Sequence, residues 1–288
     1  MSRTDDADIA YDPATHYDRV TRAWKFLLGA ELHYGVFDHI DTPLEIATAK
    51  LTDLMIEQAD LKAGMRLLDV GCGSGAQSCR LAEEYGADVL GITTSQVGID
   101  ESTARAQSRG IKTAKFELRD ATANGLADDT FDRVWALESS HLMPDRTAFV
   151  SEASRVLRPG GRFVMCDIVR LREIDFSELR RRREEFAVLR AVFGAARMDT
   201  VDSYVSAART HGLEIDHVRD LSEATYPTFA RWRENLQRHV AIVTEILGER
   251  GVDEFACSLD VLEGLWQEQT LGYALLSADA HAPGVTSR

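Results

Sequence analysis

The segment that most constrains the fold is residues 67–75, where an apolar run ends and three glycines alternate at Gly71, Gly73 and Gly75. An amphipathic stretch, residues 77–85, follows at once. A glycine without Cβ lets the backbone turn sharply and approach a ligand closely. A helix that starts here would offer unpaired N–H groups to a polar or anionic ligand. The segment therefore predicts a strand, a turn and a helix start that bind a nucleotide-type cofactor.

Two cofactors compete for this turn. Gly71, Gly73 and Ala76 satisfy the dinucleotide pattern G-x-G-x-x-G/A, which also needs an acidic residue about 20 residues on, after the next strand. That next predicted strand, residues 87–92, has no carboxylate after it until Asp100. The absence disfavours an NAD-dependent oxidoreductase. The strand is followed instead by hydroxyl and amide groups that could contact a ribose: Thr93, Thr94, Ser95 and Gln96.

The same string, Leu-Asp-Val-Gly-Cys-Gly-Ser-Gly at residues 68–75, resembles the first motif of class I S-adenosylmethionine (SAM) methyltransferases. Residues 118–121 resemble the family's adenine-reading loop after the third strand, and residues 155–161 resemble its signature before the fifth strand. The resemblance covers residues 61–169 well. It implies SAM as cofactor and an α/β fold: a Rossmann-like, doubly wound, mostly parallel sheet of seven strands with a helical cap.

The resemblance also implies roles at the cofactor. Asp69 would accept a hydrogen bond from the backbone or from the amino-acid end of SAM, and Asp120 would accept one from the adenine amine. The backbone N–H of Ala121 would donate to the adenine ring. Glu138 is a further candidate for a carboxylate on the cofactor side.

Residues 91–95, Gly-Ile-Thr-Thr-Ser, resemble a subgroup that includes tocopherol, sterol and mycolic-acid-type methyltransferases. That subgroup often has a glutamine where this chain has Gly98, so the ribose contact stays open. His33 and Tyr34 resemble the segment with which the subgroup covers its cofactor, although an ordinary helix-to-loop turn explains them equally. The aromatic face of Tyr17 could meet the sulfonium, or belong to the apolar stripe of its own helix.

Candidate catalytic residues follow the fourth and fifth predicted strands. Glu138 and His141 come after the fourth strand, and Asp167 is near the end of the fifth. A histidine oriented by a buried carboxylate is a good general base near neutral pH. In relatives with an Ala-Leu-Glu-Ser-x-His string, the corresponding histidine is a base candidate for O-methylation. The alternatives are that His141 caps a turn before Pro144, or that Glu138 is the base.

Periodicity predicts helices and strands that alternate over residues 66–168, as in a parallel sheet covered on both faces. Helices are predicted at residues 14–30, 43–59, 98–108, 146–157, 176–193 and 200–211, and the last strands at residues 214–221 and 270–278. The predicted division is a helical cap segment over residues 1–60, a SAM-binding core over 61–170 and lid helices over 171–225. A helical insert over residues 226–269 and a final strand with tail over 270–288 complete it.

Composition narrows the classes of function. The net charge of −14 argues against nucleic acid as a partner, which favours a small-molecule substrate. No apolar run is long enough for a membrane span, and the acidic N-terminus does not resemble a secretory signal, so we expect a cytoplasmic protein. Self-association is plausible. The four cysteines show no metal-binding spacing. The Arg180–Arg183 run could hold a phosphate, but a salt-bridged helix surface explains it better.

These observations predict a SAM-dependent methyltransferase that acts on a small, largely apolar specialised metabolite. O-methylation with His141 and Asp167 as the base pair is preferred. C-methylation of an isoprenoid, with a diphosphate held by arginines, and N-methylation are the alternatives. A methyltransferase fold that binds SAM and catalyses a cyclisation without methyl transfer is a more distant one.

Overall fold

Residues 22–281 are described in a computed structural model of the chain. The helix predicted at residues 14–30 is seen only in its C-terminal part, where residues 22–27 are helical. Tyr17, the predicted partner of the sulfonium, lies outside the described residues.

Seven strands form one sheet in the order β3-β2-β1-β4-β5-β7-β6. Strands β1 to β5 pair in parallel, and β7 is antiparallel to both of its neighbours. The prediction of a doubly wound, mostly parallel seven-stranded sheet is therefore confirmed. The strands are β1 (Arg66–Val70), β2 (Asp88–Thr93), β3 (Ala114–Leu118), β4 (Phe131–Leu137), β5 (Leu157–Arg170), β6 (Leu213–Asp220) and β7 (Leu271–Ala280).

The helices depart from the predicted bounds at two places. The single helix expected at residues 176–193 is two helices, since Arg182 leaves helical geometry between them. The long helix before β7 is kinked at Gly248, whose φ is 76°. The helices are α1 (Leu44–Ala59), α2 (Ala76–Tyr85), α3 (Gln96–Ser108), α4 (Arg146–Val156), α5 (Phe176–Arg181), α6 (Arg183–Phe193), α7 (Val201–Thr210), α8 (Ser222–Thr225) and α9 (Thr228–Gln267).

The sheet separates two buried apolar clusters. Adjacent residues of β1, Leu67 and Leu68, belong to different clusters because successive side chains of a strand point to opposite faces. Val164 and Met165 of β5 divide in the same way. Both faces of the central strands are thus covered, which is why the adjacent residues Leu67 and Leu68 of β1 are both apolar.

The order of the sheet reverses between β1 and β4, and in open α/β sheets ligands bind outside the carboxyl ends of the strands at such a point. The turn after β1 and the loop after β4 meet there. Strand β7 runs the opposite way, so its first residues lie at the same edge, where Tyr273 is opposite Ile168.

The glycine turn depends on close packing at this edge. Gly71 has a φ of +80°, and a Cβ there would lie 2.2 Å from the Cβ of Ser139. Gly64 has nearly the same φ, +81°, with no atom within 4 Å of its virtual Cβ. Substitutions at Gly64 and Gly71 can therefore separate the cost of a left-handed backbone from the cost of a steric clash.

We therefore expect Gly64→Ala to lower the free energy of unfolding by about 1–2 kcal/mol, the cost of a left-handed alanine. Gly71→Ala should cost clearly more, because Ser139 must also move. Urea denaturation of both variants measures the difference. Equal losses would mean that the contact with Ser139 does not constrain the turn.

Candidate active site

A cavity of about 540 Å³ opens beyond the carboxyl ends of β1, β2 and β4. We refer to it as the cofactor cavity. Its volume lies within the range of small-molecule sites. Nine of the predicted cofactor residues line it: His33, Gly71, Gly73, Thr93, Thr94, Ser95, Asp120, Ala121 and Glu138.

The turn fits a cofactor that approaches the backbone. Gly73 lines the cavity, and no atom lies within 4 Å of the position that its Cβ would take. A side chain there would project into the cavity. Helix α2 begins directly after Gly75, and no side chain caps its N-terminus. Its first N–H groups are thus available to the polar amino-acid end of SAM.

Four of the predicted cofactor contacts within residues 22–281 lie outside the lining of this cavity: Tyr34, Asp69, Gly75 and Gln96. The carboxylate of Asp69 is buried and accepts a hydrogen bond from the Ser78 hydroxyl, and burial raises the pKa of Asp69 to about 6. Gly75 packs against Ser102. Gln96 is not in the loop: it is the first residue of α3, and its side chain donates to Asp100. Asp69 and Gly75 therefore contact residues of the neighbouring helices α2 and α3, and the side chain of Gln96 bonds within its own helix.

A second cavity, of about 480 Å³, adjoins the first. We refer to it as the acceptor cavity. The two cavities share four lining residues, and most of the second wall is apolar, from residues 22–28 and from helices α6 and α9. The shared residues are Trp24, Leu32, Glu138 and Leu142. A ligand in either cavity therefore borders a ligand in the other.

His141 lines the acceptor cavity and is held by Asp167. The imidazole Nδ1 lies 2.6 Å from Oδ1 of Asp167. The other oxygen of Asp167 accepts from the backbone N–H groups of Ser140 and His141 and from the Ser140 hydroxyl. That hydroxyl also contacts the Tyr204 hydroxyl at 2.7 Å. The carboxylate thus fixes the orientation of the ring.

The pair is electrostatically coupled. Burial disfavours the imidazolium, but the charge of Asp167 and its hydrogen bond outweigh burial, so the pKa of His141 is raised above its usual value. Burial opposes ionisation of Asp167 as well, yet His141 and Ser140 lower the pKa of this carboxyl. With Nδ1 bonded to the carboxylate, Nε2 is the nitrogen available to a ligand.

Glu138 stands between the two cavities. Its φ of 47° is in the left-handed region, which is uncommon for a residue other than glycine. Oε1 accepts from the Tyr34 backbone N–H at 2.7 Å and from the Tyr273 hydroxyl. Burial raises the pKa of Glu138. Within residues 22–281, Oε2 has no hydrogen-bond donor, so this oxygen is left for a ligand.

The His33–Tyr34 segment covers this carboxylate. His33 is 3% exposed; its Nδ1 lies 2.7 Å from the Tyr34 carbonyl and its Nε2 lies 3.0 Å from a carboxylate oxygen of Glu31. A carbonyl and an ionised carboxylate are both acceptors, so the protonated form of His33 satisfies both contacts. Burial alone would lower the pKa of His33, but Glu31 and Glu138 raise it.

Tyr34 was predicted to contact the cofactor, and the structure places it on the acceptor cavity instead. Its ring stacks on Trp266 with centroids 5.3 Å apart. Its edges are packed against Phe229, Trp232 and Tyr273. Because aromatic neighbours enclose the ring, Tyr34 reaches the cofactor side only through its backbone N–H on Glu138.

The Arg180–Arg183 run does not line the acceptor cavity. Arg182 pairs with Glu185 at 2.7 Å and with Glu268 at 2.5 Å, and Arg183 pairs with the exposed Glu184. The prediction of a salt-bridged helix surface is confirmed. Three other arginines line the cavity: Arg170, Arg190 and Arg197.

Sequence reasoning missed several residues of the site. Tyr273 could have been found, because the first residues of an antiparallel β7 must lie at the carboxyl edge of the parallel strands. Ser139, which lines the cofactor cavity, is part of the string that contains Glu138 and His141. Arg197 had no signal in the sequence, since it lies in the irregular segment between α6 and α7.

Comparison with known proteins agrees with this geometry. Residues 5–273 match the sequence profile of the family described as mycolic acid cyclopropane synthetase. The chain belongs to this family. It is a SAM-dependent methyltransferase, so the alternative of an NAD-dependent oxidoreductase is rejected. None of the helices within the described residues is long and apolar enough to cross a membrane.

Curated relatives that resemble this chain include two methyltransferases. The 27-O-demethylrifamycin SV methyltransferase of Amycolatopsis mediterranei is 34% identical, over 91% of this chain and 94% of its own length. The tocopherol O-methyltransferase of Arabidopsis thaliana is 31% identical, over 74% of this chain and 66% of its own length. The predicted resemblance to the tocopherol subgroup is confirmed.

Solved structures show the same fold. The [4+2]-cyclase SpnF matches with a TM-score of 0.79 and 27% identity, covering 93% of this chain and 96% of its own. The mycolic acid cyclopropane synthase CmaA1, solved with S-adenosylhomocysteine (SAH) and CTAB, matches with a TM-score of 0.82 and 20% identity over 92% and 96% of the two chains.

A methyl group at Gly73 tests the cofactor cavity. We expect Gly73→Ala to weaken SAH binding at least tenfold in calorimetry, because the methyl would project into the cavity. The loss of stability should be no greater than that of Gly64→Ala, since neither virtual Cβ meets an atom. Unchanged SAH affinity in a folded Gly73→Ala protein would place the cofactor elsewhere.

Proposed function

We propose that this enzyme O-methylates a hydroxyl group of a small, largely apolar natural product, with His141 as general base. The observation that carries the proposal is the His141–Asp167 pair on the wall of an apolar cavity that adjoins the cofactor cavity. The curated relatives named above support an oxygen acceptor, since both are O-methyltransferases by name.

Each member of the pair has a separate task. Bound in the cofactor cavity, SAM supplies an electrophilic methyl group. The acceptor hydroxyl gives its proton to Nε2 of His141 as its oxygen gains the methyl group. Asp167 holds Nδ1–H, which keeps Nε2 aimed at the cavity and stabilises the imidazolium that forms. Such a base contributes about 10²–10⁴-fold to the rate.

The surrounding residues hold the reactants together and exclude water. Trp24, Trp232 and Phe193 contribute to the apolar wall, and a dry wall strengthens the interaction between His141 and Asp167. Glu138 reaches both cavities and offers Oε2 to the cationic cofactor or to the acceptor. The predicted division of the chain into core, lid and insert remains part of this proposal, with α6 and α9 as the cap.

A cyclase is the second candidate, because the solved relative at 27% identity is a [4+2]-cyclase. In that case SAM would bind without being consumed. C-methylation is the less favoured form of transfer, since both curated relatives named above transfer to oxygen by name. Product analysis with methyl-labelled SAM separates methyl transfer from cyclisation, because transfer forms one SAH per product. The atom that carries the label shows whether oxygen or carbon is methylated.

His141→Ala tests the base. With an acceptor found by screening apolar alcohols and phenols, we expect kcat to fall by about 10²–10⁴-fold. The Kd for SAH should change less than twofold, because His141 lines only the acceptor cavity. His217→Ala, at an exposed position of β6, is the matched control. Unaltered turnover in His141→Ala would remove the base assignment.

The pH profile tests the role of Asp167. The rate should rise with pH as His141 loses its proton, with an apparent pKa above 6.5 because Asp167 raises the pKa of His141. In Asp167→Asn the carboxylate charge is gone, so this acidic limb should move to lower pH while the maximal rate falls. Initial rates from pH 5 to 9 measure both effects. An acidic limb that stays in place would show that another group titrates.

A further inference from the structure

The acceptor cavity carries three guanidinium groups, and we propose that its acceptor is an amphiphile whose anionic oxygens, of carboxylate or phosphate type, bind Arg170 and Arg197, with Arg190 beside them. The inference rests on the proposed function, because it takes this cavity as the acceptor site. It adds the chemical class of the acceptor.

Arg170 provides the first observation. It is the last residue of β5, and its side chain is 24% exposed. Its Nη1 pairs with Glu173, which is 79% exposed, while its Nε is buried with no hydrogen-bond partner in the part of the chain that is described. A buried donor without a partner costs free energy, and an anionic ligand in the cavity would satisfy it.

Arg197 provides the second observation. Its backbone N–H donates to the carbonyl oxygen of His141 at 2.7 Å, so the base and this arginine are held next to each other. Its side chain is exposed and lines the cavity, as does that of Arg190 on α6. Two guanidinium groups at the mouth of a cavity can bind a carboxylate or phosphate through paired hydrogen bonds.

The balance of charge around the cavity favours an anion. Glu138 is the one carboxylate among the residues that line it, and this side chain is held by Tyr34 and Tyr273 at the border with the cofactor cavity. Other nearby carboxylates are already paired, Glu173 with Arg170 and Asp199 with Arg146. Three arginines thus line a wall that carries a single carboxylate among its described residues, in a chain whose net charge is −14.

The rest of the wall specifies the body of the acceptor. Small residues at 194–196 leave width, and the remaining wall is aliphatic and aromatic, including Leu189, Phe193, Met198 and Leu262. The acceptor should therefore combine a hydroxyl group at His141, an anionic group at the arginines and an apolar body against the rest of the wall.

Head-group selectivity tests the proposal without knowledge of the natural acceptor. Decanoate, decyl phosphate and decyltrimethylammonium have the same chain and are titrated below micelle formation into the full-length protein saturated with SAH. We expect at least one of the two anions to bind tenfold more tightly than the cation. The better anion indicates whether the head group is of carboxylate or phosphate type.

Single substitutions test which arginines bind the anionic head group. Arg197→Gln and Arg170→Gln should each weaken the preferred anion about tenfold while binding of the cation stays the same or improves. Arg181→Gln is the matched control, because Arg181 is exposed and bonds to Ser177 on its own helix. Ala196→Trp should block all three probes by filling the cavity.

Equal affinity for the three head groups, or anion binding that survives both substitutions, would overturn the proposal. These outcomes are distinct from failure of the proposed function, which would appear as unchanged turnover in His141→Ala. Thermal unfolding with and without SAH confirms that each variant is folded and still binds the cofactor.

Discussion

The arrangement of the candidate active site depends on one buried carboxylate, Asp167. An ionised group removed from water must be fully hydrogen-bonded, and Asp167 reaches that state by accepting from the 140–141 turn on one side and from its own strand on the other. This requirement ties the loop after β4 to β5. The orientation of His141, and the position of Arg197 beside it, are consequences of the same set of bonds.

A second group of buried titratable residues includes Glu31, His33 and Glu138. Glu31 bonds to His33, and the charges of Glu31 and Glu138 raise the pKa of His33. Glu138 lines both cavities, where a carboxylate would complement a cofactor with a positive sulfur. Its left-handed φ presents the side chain to Tyr34, to Tyr273 and to both cavities at once.

Much of the fold could be predicted because its signals are local. The glycine turn and the alternation of strands and helices were sufficient for a parallel sheet, and strand ends then placed Glu138, His141 and Asp167 at one edge. Residues whose role depends on distant partners were harder. Asp69 was expected to accept a hydrogen bond from the backbone or from SAM, and the structure adds the Ser78 hydroxyl as a donor. Tyr34 was expected at the cofactor, whereas aromatic neighbours from α9 and β7 enclose its ring. Arg170 and Arg197 carry no motif, and only the folded chain brings them to one cavity.

The four side chains common to both cavities have a thermodynamic consequence. Because Trp24, Leu32, Glu138 and Leu142 line both cavities, we expect binding of the cofactor and binding of the acceptor to be linked. If bound cofactor changes the affinity for the acceptor by some factor, bound acceptor changes the affinity for the cofactor by the same factor. The affinity for SAH would then depend on the shape of the acceptor as well as on the glycine turn. The order in which the two products leave would depend on both in the same way.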